Sequence, residues 1–167
     1  MIVVLEGPDC AGKTTLAEVL TAERGTVRAN GKPPVGRPLF EHYAGQVALA
    51  AGSPSELTVF DRLHVGELIY GPLFRGNSAL SMEEMYLLED QLDKAGAVKI
   101  HVDCSDEALL ERYRVRGDEL IKSPDILLGN AAQYRELFAS DGPFPGWIVV
   151  ATDRGNPDIQ AIVETGS

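Results

Sequence analysis

The stretch Gly7-Pro8-Asp9-Cys10-Ala11-Gly12-Lys13-Thr14-Thr15 constrains this chain more than any other. It matches Gly-x-x-x-x-Gly-Lys-[Ser/Thr] in full, through Gly7, Gly12, Lys13 and Thr14. Before it, Ile2-Val3-Val4-Leu5 is a continuous apolar run rich in β-branched residues, the pattern of a buried strand in a parallel sheet. After it, Leu16, Ala17, Val19 and Leu20 carry helical spacing, and Gly25 is expected to end that helix. A strand, a glycine-punctuated loop and a helix in that order form a phosphate-binding loop, the P-loop. The glycines allow close backbone approach, and the loop N–H groups and helix N-terminus face an anion. In such a loop the lysine reaches the β- and γ-phosphates and the following hydroxyl serves Mg²⁺. Gly7, Asp9, Cys10, Ala11, Gly12, Lys13, Thr14 and Thr15 are therefore the candidate ATP-binding residues, with Thr14 as a candidate Mg²⁺ ligand.

The rest of the chain alternates strand and helix patterns. Leu57–Phe60, Val98–Val102 and Trp147–Ala151 read as strands, and a short strand can open the Gly/Pro-rich stretch 26–40, which carries Arg28, Lys32 and Arg37. Helical patterns cover 41–52, 65–74, and 82 to about 95. Ser81 and Glu84 before the last of these form a capping box. Ser105 caps a helix beginning Asp106-Glu107, Ser123-Pro124-Asp125 starts another ending near Ala139, and Asn156-Pro157-Asp158 opens a short terminal one. This alternation predicts the α/β class, a P-loop NTPase fold with a parallel sheet flanked by helices on both faces. With 167 residues it predicts a single domain over 1–167.

A P-loop alone names no reaction, so the other charged elements decide. Asp61-Arg62 ends the 57–60 strand, and in an open parallel sheet ligands sit outside the carboxyl ends of the strands. Asp61 can order Mg²⁺ or accept a proton; Arg62 can grip a second phosphate bidentately. The segment 112–122 holds four cations, Arg112, Arg114, Arg116 and Lys122, against two acids. Arg112 and Arg116 stand one turn apart, a spacing that lets both reach one anion, as phosphoryl transfer requires. Arg75 follows Tyr70 and Phe74, and an arginine beside aromatics can hold a base. His64 reads as a supporting or surface residue. No Asn-Lys-x-Asp string is present to read guanine, and no apolar strand ends in Asp-Glu as in ATPase engines.

With these residues in view the chain resembles the thymidylate kinase family of nucleoside monophosphate kinases, in its short, phage-type members. The resemblance rests on Leu5 to Thr15, on Asp61-Arg62 followed by Gly66-Glu67-Leu68-Ile69-Tyr70-Gly71, on Val102-Asp103 opening a helix, and on an arginine-rich segment placed like the family's lid, about 112–122. It implies that Lys13, Asp61, Arg62, Arg112 and Arg116 are catalytic, with Asp61 joining Thr14 at the metal. It implies that Arg62 holds an acceptor monophosphate, with Asp9, Glu67, Tyr70, Arg75 and Arg116 on the acceptor side. Arg112 and Asp153 then belong to the ATP side, Thr152-Asp153 bordering the adenine. The family's Arg-Glu-Pro-Gly stretch is absent, replaced by Arg28 through Pro34, which bears on thymidine specificity more than on kinase chemistry.

The expected activity is ATP- and Mg²⁺-dependent conversion of a deoxynucleoside monophosphate, thymidylate or a modified pyrimidine deoxynucleotide first, to the diphosphate. The rivals are a kinase of a nucleoside or other small acceptor, with Glu6 or Asp61 as base, and a non-catalytic nucleotide sensor. A net charge of −10 opposes nucleic acid as partner, because a nucleic-acid binder usually carries a basic face. No apolar run approaches the roughly 20 residues of a membrane span. Cys10 and Cys104 form no disulfide framework. These features together predict a cytoplasmic protein whose partners are small nucleotides. Related kinases often dimerise, so a homodimer is an open expectation with no legible interface.

Overall fold

Ile2–Glu6 (β1) is buried along its whole length and lies at the centre of a five-stranded sheet. In the computed structural model, which describes residues 1–31, 33–53, 56–116, 121 and 123–154, it is followed by α1 (Lys13–Thr21), β2 (Thr26–Ala29), α2 (Leu39–Ala51) and β3 (Thr58–Asp61). Then come α3 (Glu67–Arg75), α4 (Met82–Lys94), β4 (Val98–Asp103), α5 (Asp106–Arg116), α6 (Pro124–Leu137) and β5 (Ile148–Ala151). The strand order is β2-β3-β1-β4-β5 and every pairing is parallel. This is the expected α/β sheet of a P-loop fold, and all the carboxyl ends lie along one edge.

The alternation in β1 sets the two layers. Val3 and Leu5 face one core with Leu16 and Leu20 of α1, Leu109 of α5 and Leu127 of α6. Ile2 and Val4 face the other with Tyr43 and Val47 of α2 and Met85, Leu88 and Leu92 of α4. Fully burying each such side chain stabilises the fold by about 1.5–3 kcal/mol. Lining both faces of one strand therefore ties both helix layers to it.

Local signals fix several element ends. At the start of α4, Ser81 Oγ accepts from the Glu84 N–H at 3.2 Å while Glu84 Oε2 accepts from the Ser81 N–H at 2.8 Å. Ser123 caps α6 through the Ile126 N–H, with Pro124 in the first turn. Several boundaries differ from expectation, most of them by one or two residues. α1 stops at Thr21, four residues short of Gly25, because Gly25 at φ 115° makes the turn into β2, where a Cβ would lie 2.8 Å from the Leu57 carbonyl oxygen. α2 begins at Leu39, directly after Pro38. α3 begins at Glu67 and carries Pro72 inside it. The helix expected from Asn156 and the lid residues 117–120 and 122 lie outside the described residues.

His64, expected as a supporting or surface residue, is fully buried, which leaves only the supporting role. Its Nε2 lies 2.8 Å from Glu89 Oε1, while Lys99 Nζ donates to Glu89 Oε2 at 2.8 Å and Trp147 Nε1 to the same oxygen at 3.2 Å. Glu89 on α4 thus binds β4, the loop leading into β5 and the loop after β3 around one carboxylate.

Candidate active site

The turn after β1 brings Gly7 so close to β4 that a Cβ there would stand 2.1 Å from the Val102 carbonyl oxygen. The loop beyond it includes Cys10 at φ 62° and Gly12 at φ 100°, both in the left-handed region. Two side chains hold it from outside. Arg112 Nη1 donates to the carbonyls of Cys10 and Ala11 at 3.2 and 3.1 Å, and Thr152 Oγ1 donates to the Ala11 carbonyl at 2.7 Å. A trans peptide sends its N–H opposite its carbonyl. Anchoring the Ala11 carbonyl therefore aims the Gly12 N–H to the other side, at the start of α1. Arg112 Nη1 also donates to Thr152 Oγ1 at 2.9 Å, so α5, the P-loop and the loop after β5 form one unit.

Lys13 is buried and donates from Nζ to the Pro8 carbonyl at 2.6 Å. Burial, and then the charge of Arg62, push its pKa down to about 7. Thr14 donates from Oγ1 to Asp61 Oδ2 at 2.7 Å. This hydroxyl and carboxylate at the end of β3 are hard oxygen donors beside the loop, the donor set that suits Mg²⁺, which takes one or two protein oxygens and completes its shell from phosphates and water. Among the described residues no cluster of three or more His, Cys, Asp or Glu is placed to hold a metal by itself. Thr15 is exposed on the first turn of α1.

Arg62 stands where the P-loop meets a second pocket. Its own backbone is left-handed, φ 69°. Its guanidinium is ion-paired through Nη2 to Asp9 Oδ1 and donates from Nη1 to Tyr134 Oη at 3.2 Å and to the Gly7 carbonyl at 3.3 Å. It also lies 4.5 Å over the Tyr70 ring. Tyr70 Oη donates to the other Asp9 oxygen at 2.8 Å. Burial alone would raise the Asp9 carboxyl, but Arg62, Lys13 and the Tyr70 hydroxyl outweigh it and hold it below the usual carboxylate range. Burial lifts the Tyr70 and Tyr134 phenols above their usual range, so both remain neutral donors.

The second pocket encloses about 350 Å³ between β3, α2 and α3 and is lined by Asp9, Asn30, Tyr43, Arg62, Glu67, Tyr70, Phe74 and Arg75. Tyr70 and Phe74 run nearly parallel, 6.1 Å apart. Glu67 is buried, pairs with Arg75 through Oε1 and accepts from the Ala79 N–H at 2.7 Å. Of the expected acceptor-side residues, Asp9, Arg62, Glu67, Tyr70 and Arg75 share one cavity, whereas Arg116 is not among its lining. Asn30 and Tyr43 join them without having been singled out from sequence, and Tyr134, equally unexpected, stands behind Arg62 rather than in the cavity wall.

The arginine segment is arranged differently from the sequence expectation. Arg112 is engaged with loop carbonyls, whereas Arg116 lies exposed at the last turn of α5, so the two do not converge on one point. Asp153, expected on the ATP side, accepts from the Ser105 N–H at 2.9 Å at the rim of a hollow of about 320 Å³ beyond β4 and β5. Glu6, weighed as a base, is fully buried with both oxygens engaged, by the Leu63 N–H at 2.9 Å and by Tyr134 Oη at 3.1 Å. Cys10 and Cys104 are both buried, and neither is in a disulfide. No helix among the described residues is long and apolar enough to cross a membrane.

Comparison with known proteins agrees with this architecture. No family model matches the chain. The sequence is 32% identical over 148 residues to the SPbeta prophage-derived uncharacterized protein YorR of Bacillus subtilis strain 168, covering 84% of each chain. A crystal structure of YorR in complex with phosphorylated GDP superposes with a TM-score of 0.72 at 27% identity, over 99% of this chain and 92% of that one. Deoxyadenosine kinase from M. mycoides with bound dATP superposes with a TM-score of 0.51 at 18% identity, over 99% of this chain and 96% of that one, a likeness of fold.

Proposed function

We propose, on the premise that this chain belongs to the family of the prophage protein YorR and has the fold of P-loop nucleoside kinases, that it transfers the γ-phosphoryl group of ATP to a deoxynucleoside monophosphate. The observation that carries this reading is the position of Arg62. One guanidinium touches the P-loop at Gly7 and also lines the aromatic pocket. Of its five N–H groups, three are engaged by Asp9, Tyr134 and Gly7. Among the described residues nothing engages the other two, which would meet the phosphate of an acceptor.

In this reading Lys13 and the loop N–H groups hold the donor phosphates. Thr14 and Asp61 would hold Mg²⁺, which supplies charge neutralisation at the donor phosphates when bound. Tyr70 and Phe74 flank the acceptor base, and Arg75, oriented by Glu67, meets its edge. Arg62 aligns the acceptor oxygen. Catalysis is then mostly positioning and charge stabilisation. The 112–122 segment acts as lid, with Arg116 the arginine free to move inward. Thymidylate or a modified pyrimidine deoxynucleotide is the first acceptor to test. Guanine nucleotides follow, because phosphorylated GDP is bound in the YorR structure.

A coupled ADP-release assay with ATP and Mg²⁺ against a panel of nucleosides and their monophosphates tests this. Selective turnover of one monophosphate is expected. Arg62→Ala should raise the acceptor KM by at least tenfold with the ATP KM little changed. Turnover of nucleosides instead would move the reading to a nucleoside kinase with Asp61 as base. Tight ATP binding with silence across the panel would favour a sensor.

A further inference from the structure

We infer that Tyr134 and Glu6 are positioning residues for Arg62: they form a buried bracket that fixes where its guanidinium points. This rests on the reading of Arg62 as the acceptor-binding cation. Glu6, fully buried at the end of β1, uses one oxygen on the Leu63 N–H at 2.9 Å and the other on Tyr134 Oη at 3.1 Å. Tyr134, fully buried on α6, in turn accepts from Arg62 Nη1 at 3.2 Å. One carboxylate thus grips the backbone immediately after Arg62 and, through the phenol, its side chain.

The backbone there needs holding. Arg62 adopts φ 69°, a conformation that residues with a Cβ occupy at a cost and keep only when neighbours over-determine it. The Arg62 N–H donates to the Leu5 carbonyl at 2.9 Å and Asn30 Nδ2 donates to the Arg62 carbonyl at 2.9 Å, completing the restraint. The chain also makes room for the bracket. A Cβ on Gly66 would stand 2.8 Å from Tyr134 Oη and 3.3 Å from Glu6 Oε2. A buried carboxylate is costly compared with a well-packed apolar pair. Here it sits beneath the guanidinium that touches the P-loop at Gly7 and lines the aromatic pocket.

Tyr134→Phe removes the hydroxyl and keeps the ring against His101 and Phe138, 6.1 and 6.2 Å away. Two measurements test the bracket. In ¹⁵N NMR the Arg62 Nη–H signals, resolved in the wild type by restricted rotation, should collapse or exchange faster in Tyr134→Phe. In the coupled assay the variant should raise the acceptor KM about tenfold with the ATP KM unchanged, and should add nothing in the Arg62→Ala background. Unaltered Nη signals would overturn the inference whatever the activity. So would an equal rise in both KM values, or an undiminished effect in the Arg62→Ala background. Altered Nη signals in a protein that turns over no nucleotide would uphold the bracket and reject the acceptor reading instead.

Discussion

Lys13 shows how far function and stability pull apart at one residue. Its ammonium is buried, and its pKa in the folded chain, about 7, lies below the ordinary 10.5. The unfolded chain therefore binds more protons between these values, and folding stability from this group rises with pH across that window. Below pH 7 the full cost of the buried charge is present. Lys13→Met should raise stability by about 1–4 kcal/mol at pH 6, with the gain shrinking toward pH 10. Urea midpoints of both proteins across this range measure it; a gain that grows with pH would contradict it. Lys13→Ala and Lys13→Met should both lower kcat by orders of magnitude, since no other residue supplies a cation from inside the loop. Lys13 was legible because its motif is local. Tyr134 was not: it lies 72 residues from Arg62 and 128 from Glu6, and nothing in its neighbourhood marks it as other than a core aromatic.

At the level of elements, the strands and most helices were readable because their signals are short-range: apolar runs for β1, β3 and β4, and a capping box for α4. Their boundaries moved where a long-range contact intervened, as when Gly25 turned against Leu57. The joint around Glu89 was invisible for the same reason, being assembled from α4, β4 and two loops. Burial alone would raise the Glu89 carboxyl, but His64 and Lys99 reverse this and lower it. Its ionised form therefore stabilises the fold above the unfolded value of 4.5, and that contribution is lost as pH falls through the lowered folded value. Glu89→Gln should cost about 1–3 kcal/mol at pH 7, because Lys99 loses a charged buried partner while keeping its ion pair to Asp93 at 2.6 Å. The difference between the two urea midpoints should narrow only below about pH 4.5. A constant difference down to pH 3 would show that charge is not what Glu89 contributes.

For the molecule as a whole, both cores rest on β1, so neither can melt while the other stands. Calorimetry should show a single transition with matching calorimetric and van't Hoff enthalpies. ATP at a hundredfold over its Kd should add about 2.7 kcal/mol to stability, seen as a rise in Tm. Two resolved transitions would break the single-domain proposal for 1–167. The central position of β1 also orders events in time. β1 leaves the ribosome before both strands it pairs with, β3 and β4, with Ile2 opposite Thr58 and Val3 opposite Val98. The strand waits unpaired for more than fifty residues of synthesis, an interval in which loop closure opposes any non-local contact. The Gly7 turn packs on Val102, and the loop is braced by Arg112 and Thr152. The most recognisable motif of the chain is thus translated well before the contacts that finish it: a nascent chain halted before residue 152 carries every P-loop residue but lacks one of the props that shape the loop.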